Sequence, residues 1–248
     1  MSTSFKLKLT GNKVILSMFM AAVLTLGLSS CTKNNESQTD STVTVDDAAD
    51  AVTQAVSPES AGMVAQTTTA ARMVTTSTLS CGLEKDSSIS GQNAPGAAIT
   101  YSYALNWNSN LSCNGNMPQQ FQFNFSGKSS YDAPRMSSND SSNAQFTATG
   151  LEPSATQYIF NQTYSRNGSQ VSKVRNKRSF TSTINITSSN ITVNKSTGEI
   201  ISGAATVTVS GAGSGGDSFN YTGTLTFLGN KQATLVLGNG NTYSIQWQ

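Results

Sequence analysis

The chain contains no histidine. That excludes a Ser-His-Asp triad, a Cys-His pair, an HExxH zinc site and a two-histidine, one-carboxylate iron site. Cysteine is almost as scarce: Cys31, Cys81 and Cys113 are the only three. No G-x-x-x-x-G-K-[ST] run is present: Gly127-Lys128-Ser129 has Gln122 where a Walker loop needs its first glycine, so a phosphate loop of that type is excluded. No D-x-D-x-D-G run is present either, which removes a calcium loop of that kind. The residues point to no metal and no cofactor. Charged residues make up only 11% of the chain. Ser, Thr, Asn and Gly take the place of Glu, Lys and Arg, a composition that suits exposed strands and turns better than surface helices.

The N-terminus has its own pattern. Lys6, Lys8 and Lys13 form a basic segment without an acid. Val14 to Leu28 is an uncharged apolar run of fifteen residues. A membrane-spanning helix needs roughly 20, so this run has the length and flanks of a cleavable signal. It closes on Leu28-Ser29-Ser30-Cys31. Residues 1–31 resemble the signal and lipobox of bacterial lipoproteins. The resemblance implies cleavage before Cys31, diacylglycerol on its sulfur and a further acyl chain on the new amine. Two or more chains give stable anchoring. Thr32 stands where Asp tends to retain such proteins at the inner membrane, so the resemblance implies the outer membrane of a Gram-negative cell envelope. The expected partners are the membrane, through the anchor, and an envelope protein or polysaccharide.

The signal also carries three of the 15 basic residues, leaving twelve against 13 acidic ones. The remaining chain is near neutral, which gives no broad attraction to nucleic acid. Residues 31–72 read as a lipidated end and a flexible acidic tether, with six acids against Lys33 across 32–60. A short helix through Ala48–Val56, capped by Asp46 and stopped near Pro58, fits the middle of it.

From about Met73 to Gln248 the period is 2. Ile99, Tyr101, Tyr103, Leu105 and Trp107 alternate with polar residues, as do Phe121, Phe123 and Phe125. Such alternation marks antiparallel strands with one buried and one wet face. The expected fold is a single all-β domain, either an antiparallel sandwich or a large twisted sheet built from hairpins. A membrane barrel is the third option. Tight turns are signalled at Asn114-Gly115, Asn167-Gly168 and Asn239-Gly240. With turns at Gly229-Asn230 and Asn239-Gly240, the C-terminus forms a meander. Tyr221, Leu225, Phe227, Thr234, Val236, Tyr243, Ile245 and Trp247 then share one face, and Leu235 and Leu237 are left on the wrong one. Ser210–Asp217 reads as a flexible loop.

Cys81 and Cys113 are an even pair, which in an exported protein points to a disulfide, with two buried thiols as the alternative. A two-residue turn at Asn167-Gly168 would set Tyr158 and Phe160 opposite Lys177 and Arg175, with Lys173 beside them. That basic–aromatic face is the candidate ligand site, for a glycan or other anion. Its bland counterpart is a solvated strand face. Tyr101, Tyr103 and Trp107 could hold sugar rings, but their strict alternation reads first as core. The carboxylates Glu84, Asp86, Asp132, Asp140, Glu152, Glu199 and Asp217 would have to pair across a cleft for glycoside hydrolysis. The sequence reading is thus a lipid-anchored envelope protein of structural or adhesive type, without catalysis. Glycan binding through the hairpin comes second and a carboxylate hydrolase last.

Overall fold

The computed structural model describes residues 42–76, 79–92, 100–175, 177–238 and 240–248. The signal segment, Cys31, the lipobox and the first part of the expected tether lie outside these residues, as does Ile99. Two helices come first, α1 (Val45–Val56) and α2 (Met63–Thr76), joined through a 3-10 turn at Pro58–Ser60. Ten strands follow: β1 (Glu84–Gln92), β2 (Thr100–Asn114), β3 (Met117–Asp132), β4 (Met136–Thr149), β5 (Gln157–Ser172), β6 (Ser179–Asn194), β7 (Ile200–Gly213), β8 (Ser218–Gly229), β9 (Gln232–Leu237) and β10 (Asn241–Gln246). All ten form one antiparallel sheet in sequence order. The fold is all-β in its main body, and its architecture is the single large sheet. Among the described residues the strands form one sheet with β1 and β10 at opposite ends of the strand order, and no second sheet is present.

Alternation decides which face is buried. Phe121, Phe123 and Phe125 on β3 pair with Ala148, Phe146 and Ala144 on β4, and all six are buried. The same face continues through Phe160 and Tyr164, Ile184 and Ile186, Val207 and Val209, then Leu225 and Phe227. Fully burying each of the larger side chains contributes roughly 1.5–3 kcal/mol. The opposite face carries Ser, Thr, Asn and Gln. The helices lie across the buried face and reach β3, β5, β7 and β9. They add Ala48, Val52, Val56, Met63, Ala70 and Ala71 to the core.

Residues 43–72 are therefore not a tether, which is a correction. They are folded, and their acids serve the fold. α1 begins at a capping box in which the Thr44 hydroxyl accepts from the Asp47 amide (3.2 Å) and the Asp47 carboxylate accepts from the Thr44 amide (3.4 Å). The cap is Thr44 and not Asp46. α2 extends to Thr76, past the expected start of the β domain. Its threonines hide it from a propensity argument, because β-branched residues favour strands. Thr67, Thr69, Thr75 and Thr76 each donate back to the carbonyl four residues earlier.

Two registers differ from the sequence reading. Between β8 and β9, Gly229 pairs with Gln232 and Phe227 with Ala233, so Leu228 is bulged out. The turn residues are Asn230 and Lys231, at φ 51° and 60°. That one-residue slip turns the whole of β9 over. Ala233, Leu235 and Leu237 are buried with the core, and Thr234 and Val236 face outward. Leu237 pairs with Asn241, so the next connection has three residues and restores the face of β10. The two misplaced leucines of the sequence reading were the mark of this slip. Likewise, half of Ser210–Asp217 is strand and only residues 214–217 are a loop. β7 runs to Gly213 and turns through them into β8.

Cys81 and Cys113 form the disulfide, with Cα atoms 5.6 Å apart. It ties the segment before β1 to the end of β2.

Candidate binding groove

The basic–aromatic hairpin does not form. β5 runs unbroken through Asn167 and Gly168 to Ser172. Gly168 is there for space: it pairs with Asp140, and a Cβ at Gly168 would lie 1.9 Å from the Asp140 carboxylate. A glycine in a strand marks close approach as well as turns, and here the first meaning holds. Tyr158 and Phe160 are buried in the core. Lys173 pairs with Asp132, Arg175 pairs with Asp47 and Asp50, and Lys177 is exposed in the β5–β6 connection. The cation over the Tyr158 ring is Lys195, 5.0 Å from its centroid.

The structure instead opens a groove of about 500 Å³ between α2 and the β1–β3 end of the sheet. Its floor is the β2 stripe Tyr101, Tyr103, Leu105 and Trp107, with Tyr131 from β3 and Ile89 from β1. Tyr101 is 39% exposed and Ile89 47%, while Tyr103 and Trp107 are half-buried. The stripe that reads as core in the sequence is thus core only at Leu105. Helix α2 does not reach far enough to cover the rest. The Tyr101 and Tyr103 rings lie within 12° of parallel, their centroids 6.0 Å apart. Two strand glycines shape the floor. Gly91 pairs with Tyr103, and a Cβ there would meet the tyrosine hydroxyl at 2.8 Å. Gly127 pairs with Leu105, and a Cβ there would meet its side chain at 2.6 Å. Those two glycines were the sequence signal for the groove.

The walls are polar and nearly uncharged. Trp107 donates its indole N–H to the Gln66 side chain at 2.9 Å, and Gln66 in turn donates to the Ala61 carbonyl. That pair fixes the ring plane against α2. Among the described residues Glu59 is the only carboxylate in the lining, and it accepts from the Gln248 amide at 3.2 Å.

Behind Tyr131 lies a buried polar cluster. Arg166 donates to Asp140 (2.6 Å), to Ser129 (3.4 Å) and to the carbonyls of Gln54 (3.0 Å) and Ser60 (3.3 Å). Its guanidinium sits 5.6 Å from the centre of the Tyr131 ring. Gln170 donates to the other Asp140 oxygen at 2.9 Å and accepts from Ser182. Burial works against the Arg166 charge, but the Asp140 carboxylate hydrogen-bonded to it holds its pKa above the ordinary value. Burial raises the phenols of Tyr131 and Tyr164, so both keep their protons at neutral pH. The cluster clamps the α1–α2 connection to β4 and β5. It offers no free base to the groove.

Fold and groove define a class: an open antiparallel meander with a helical pair across one face and a ring-lined cleft between helix and sheet. Compared with protein-family models, curated proteins and solved structures, the chain matches none of them.

Proposed function

We propose that the protein is a lipid-anchored adhesive component of the cell envelope that binds glycan in the Tyr–Trp groove, without catalysis. The anchor rests on the basic segment, the apolar run and the Leu28–Cys31 lipobox; Thr32 supports an outer-membrane address. The observation that carries the binding reading is the groove. A concave site lined by aromatic rings, with a few polar groups at its walls, is the usual form of a ligand site. Near-parallel tyrosine faces suit the apolar faces of pyranose rings, and the half-buried Ser102 and Ser130 hydroxyls in the lining suit their hydroxyls. The near-absence of charge argues for a largely neutral ligand at this end.

The carboxylates support binding over hydrolysis. A glycoside hydrolase sets two carboxyl groups on either side of the bond it cleaves. The groove holds one, Glu59. Asp140 and Asp47 are buried against arginines.

The test joins anchor and groove. Cells given labelled palmitate should label the wild-type protein and not Cys31→Ser. Purified protein should bind on a glycan array, and Tyr101→Ala should lose that binding while keeping its circular dichroism spectrum. Unlabelled wild-type protein would remove the anchor. Array binding that is indifferent to Tyr101→Ala would remove the groove.

A further inference from the structure

A second groove, of about 340 Å³, runs along the opposite flank of α2. Arg72 of α2, Glu199, Lys231 and Trp247 are among its lining residues. Lys231 and Glu199 are 3.8 Å apart. Pro58, Ala65 and Thr69 line both grooves. Ala65 and Thr69 are four residues apart and so share one face of the helix. The divide between the grooves is therefore built from a methyl group, a proline ring and a short hydroxyl side chain. The Thr69 hydroxyl is turned back onto the Ala65 carbonyl at 2.8 Å, which keeps it low against the helix. Among the described residues, those that line both grooves all have short side chains.

The two ends differ in chemistry. The first groove presents ring faces and amides. The second adds Arg72 and Lys231, donors suited to hydroxyl or carboxylate oxygens, beside one acid. A single sugar on the tyrosine faces would leave the second groove empty. We infer that the ligand is a linear glycan chain lying across α2, stacked on Tyr101 and Tyr103 at one end and held by Arg72 and Lys231 at the other. This rests on the glycan reading above. The saddle of Pro58, Ala65 and Thr69 is the part of the path that only a chain would use.

A chain reaching both grooves makes its second contact intramolecularly, so affinity should rise in a step once the chain is long enough to cross. The experiment is calorimetric titration of the purified protein with length ladders of linear neutral oligosaccharides and of their uronate-containing counterparts. The expected result is a step of about tenfold or more at one length. Ala65→Phe, which raises the saddle at a half-exposed position, should abolish the step. Arg72→Ala, at an exposed position, should do the same. Arg72→Ala, which does not line the first groove, should leave short chains bound as in the wild type. A step in both ladders supports the path and assigns Arg72 and Lys231 to hydroxyls; a step confined to the uronate ladder supports it and assigns them to carboxylates. Affinity independent of length, lost in Tyr101→Ala, overturns the path and leaves the first groove standing. No binding of any ladder, with uptake of a fluorescent fatty acid, overturns both readings in favour of an acyl ligand.

Discussion

The two helices sit on the same sheet face but are held there by different chemistry. α1 is fastened by charge. Asp47 and Asp50 accept from Arg175, Asp50 also accepts from Arg135, and the loop before the helix is held through Arg178 on the Thr42 carbonyl. α2 is fastened by neutral groups. Thr67 and Gln162 share a hydrogen bond at 3.0 Å, Trp107 donates to Gln66, and Thr75 meets the Tyr158 hydroxyl at 3.2 Å. The grooves lie along α2 and not α1. A charged seat would have filled the neighbouring space with arginine and fixed its field. A neutral seat of small residues leaves open clefts beside the helix. The difference separates holding the fold from holding a ligand.

The hardest blow to this arrangement is Arg166→Ala. It strands the Asp140 charge in the interior and frees the carbonyls of Gln54 and Ser60. Breaking a buried pair this way costs about 3–5 kcal/mol, which urea unfolding should register as a large drop in midpoint. Next comes Arg175→Ala, expected to cost roughly 1–3 kcal/mol, as for hydrogen bonds to charged groups. This loss should depend on pH. Burial alone would raise the Asp47 pKa, but hydrogen bonds from Thr44 and Arg175 and the Arg175 charge bring it below the ordinary value. Its contribution is therefore whole above the unfolded value of about 3.9 and disappears as pH falls through the lower folded value. Stability measured from pH 6 to pH 2 should fall less steeply in Arg175→Ala than in the wild type; parallel curves would mean that α1 is not held by this charge. The neutral seat should behave otherwise. Thr67→Val should cost about 1 kcal/mol, equally at pH 4 and pH 7, because neither partner titrates there. Smallest for stability is Tyr101→Ala, expected to cost no more than about 1 kcal/mol because its ring is part-exposed, at 39%. It should nonetheless remove ligand binding, the clearest separation of the two regions.

Much of the sheet was legible because burial on one face imposes a period of 2 that composition cannot blur. The Phe121–Phe125 stripe stands where its alternation puts it, the Tyr101–Trp107 stripe is a strand but core only at Leu105, and the disulfide joins the two cysteines that the pattern singled out. What failed was local chemistry with two meanings. Asn167-Gly168 has the letters of a type I′ turn, yet Gly168 is small because Asp140 fills the space above it. That fact lives on the neighbouring strand, 28 residues away. α2 was ambiguous because its threonines favour strands in isolation, and only burial of Met63, Thr67 and Ala70 against the sheet overrides that preference. The acids of α1 read as solvated because their arginine partners lie more than eighty residues downstream. The groove was half visible. Its rings were found, but that α2 leaves them uncovered is a matter of packing.

Strand order has a consequence for how the chain assembles. Every strand pairs only with its neighbour in sequence, so the sheet can grow one hairpin at a time with short loop closures. The helices are different. They are made first, since they precede all the strands, yet their seat spans β3 to β9. During synthesis they must wait, with Val52, Val56 and Met63 uncovered, until nearly the whole sheet exists. Helix docking is then the last and most non-local step, and it is the step that creates both grooves. A chain that stops before β7 would have the rings but only part of the seat that holds α2 over them.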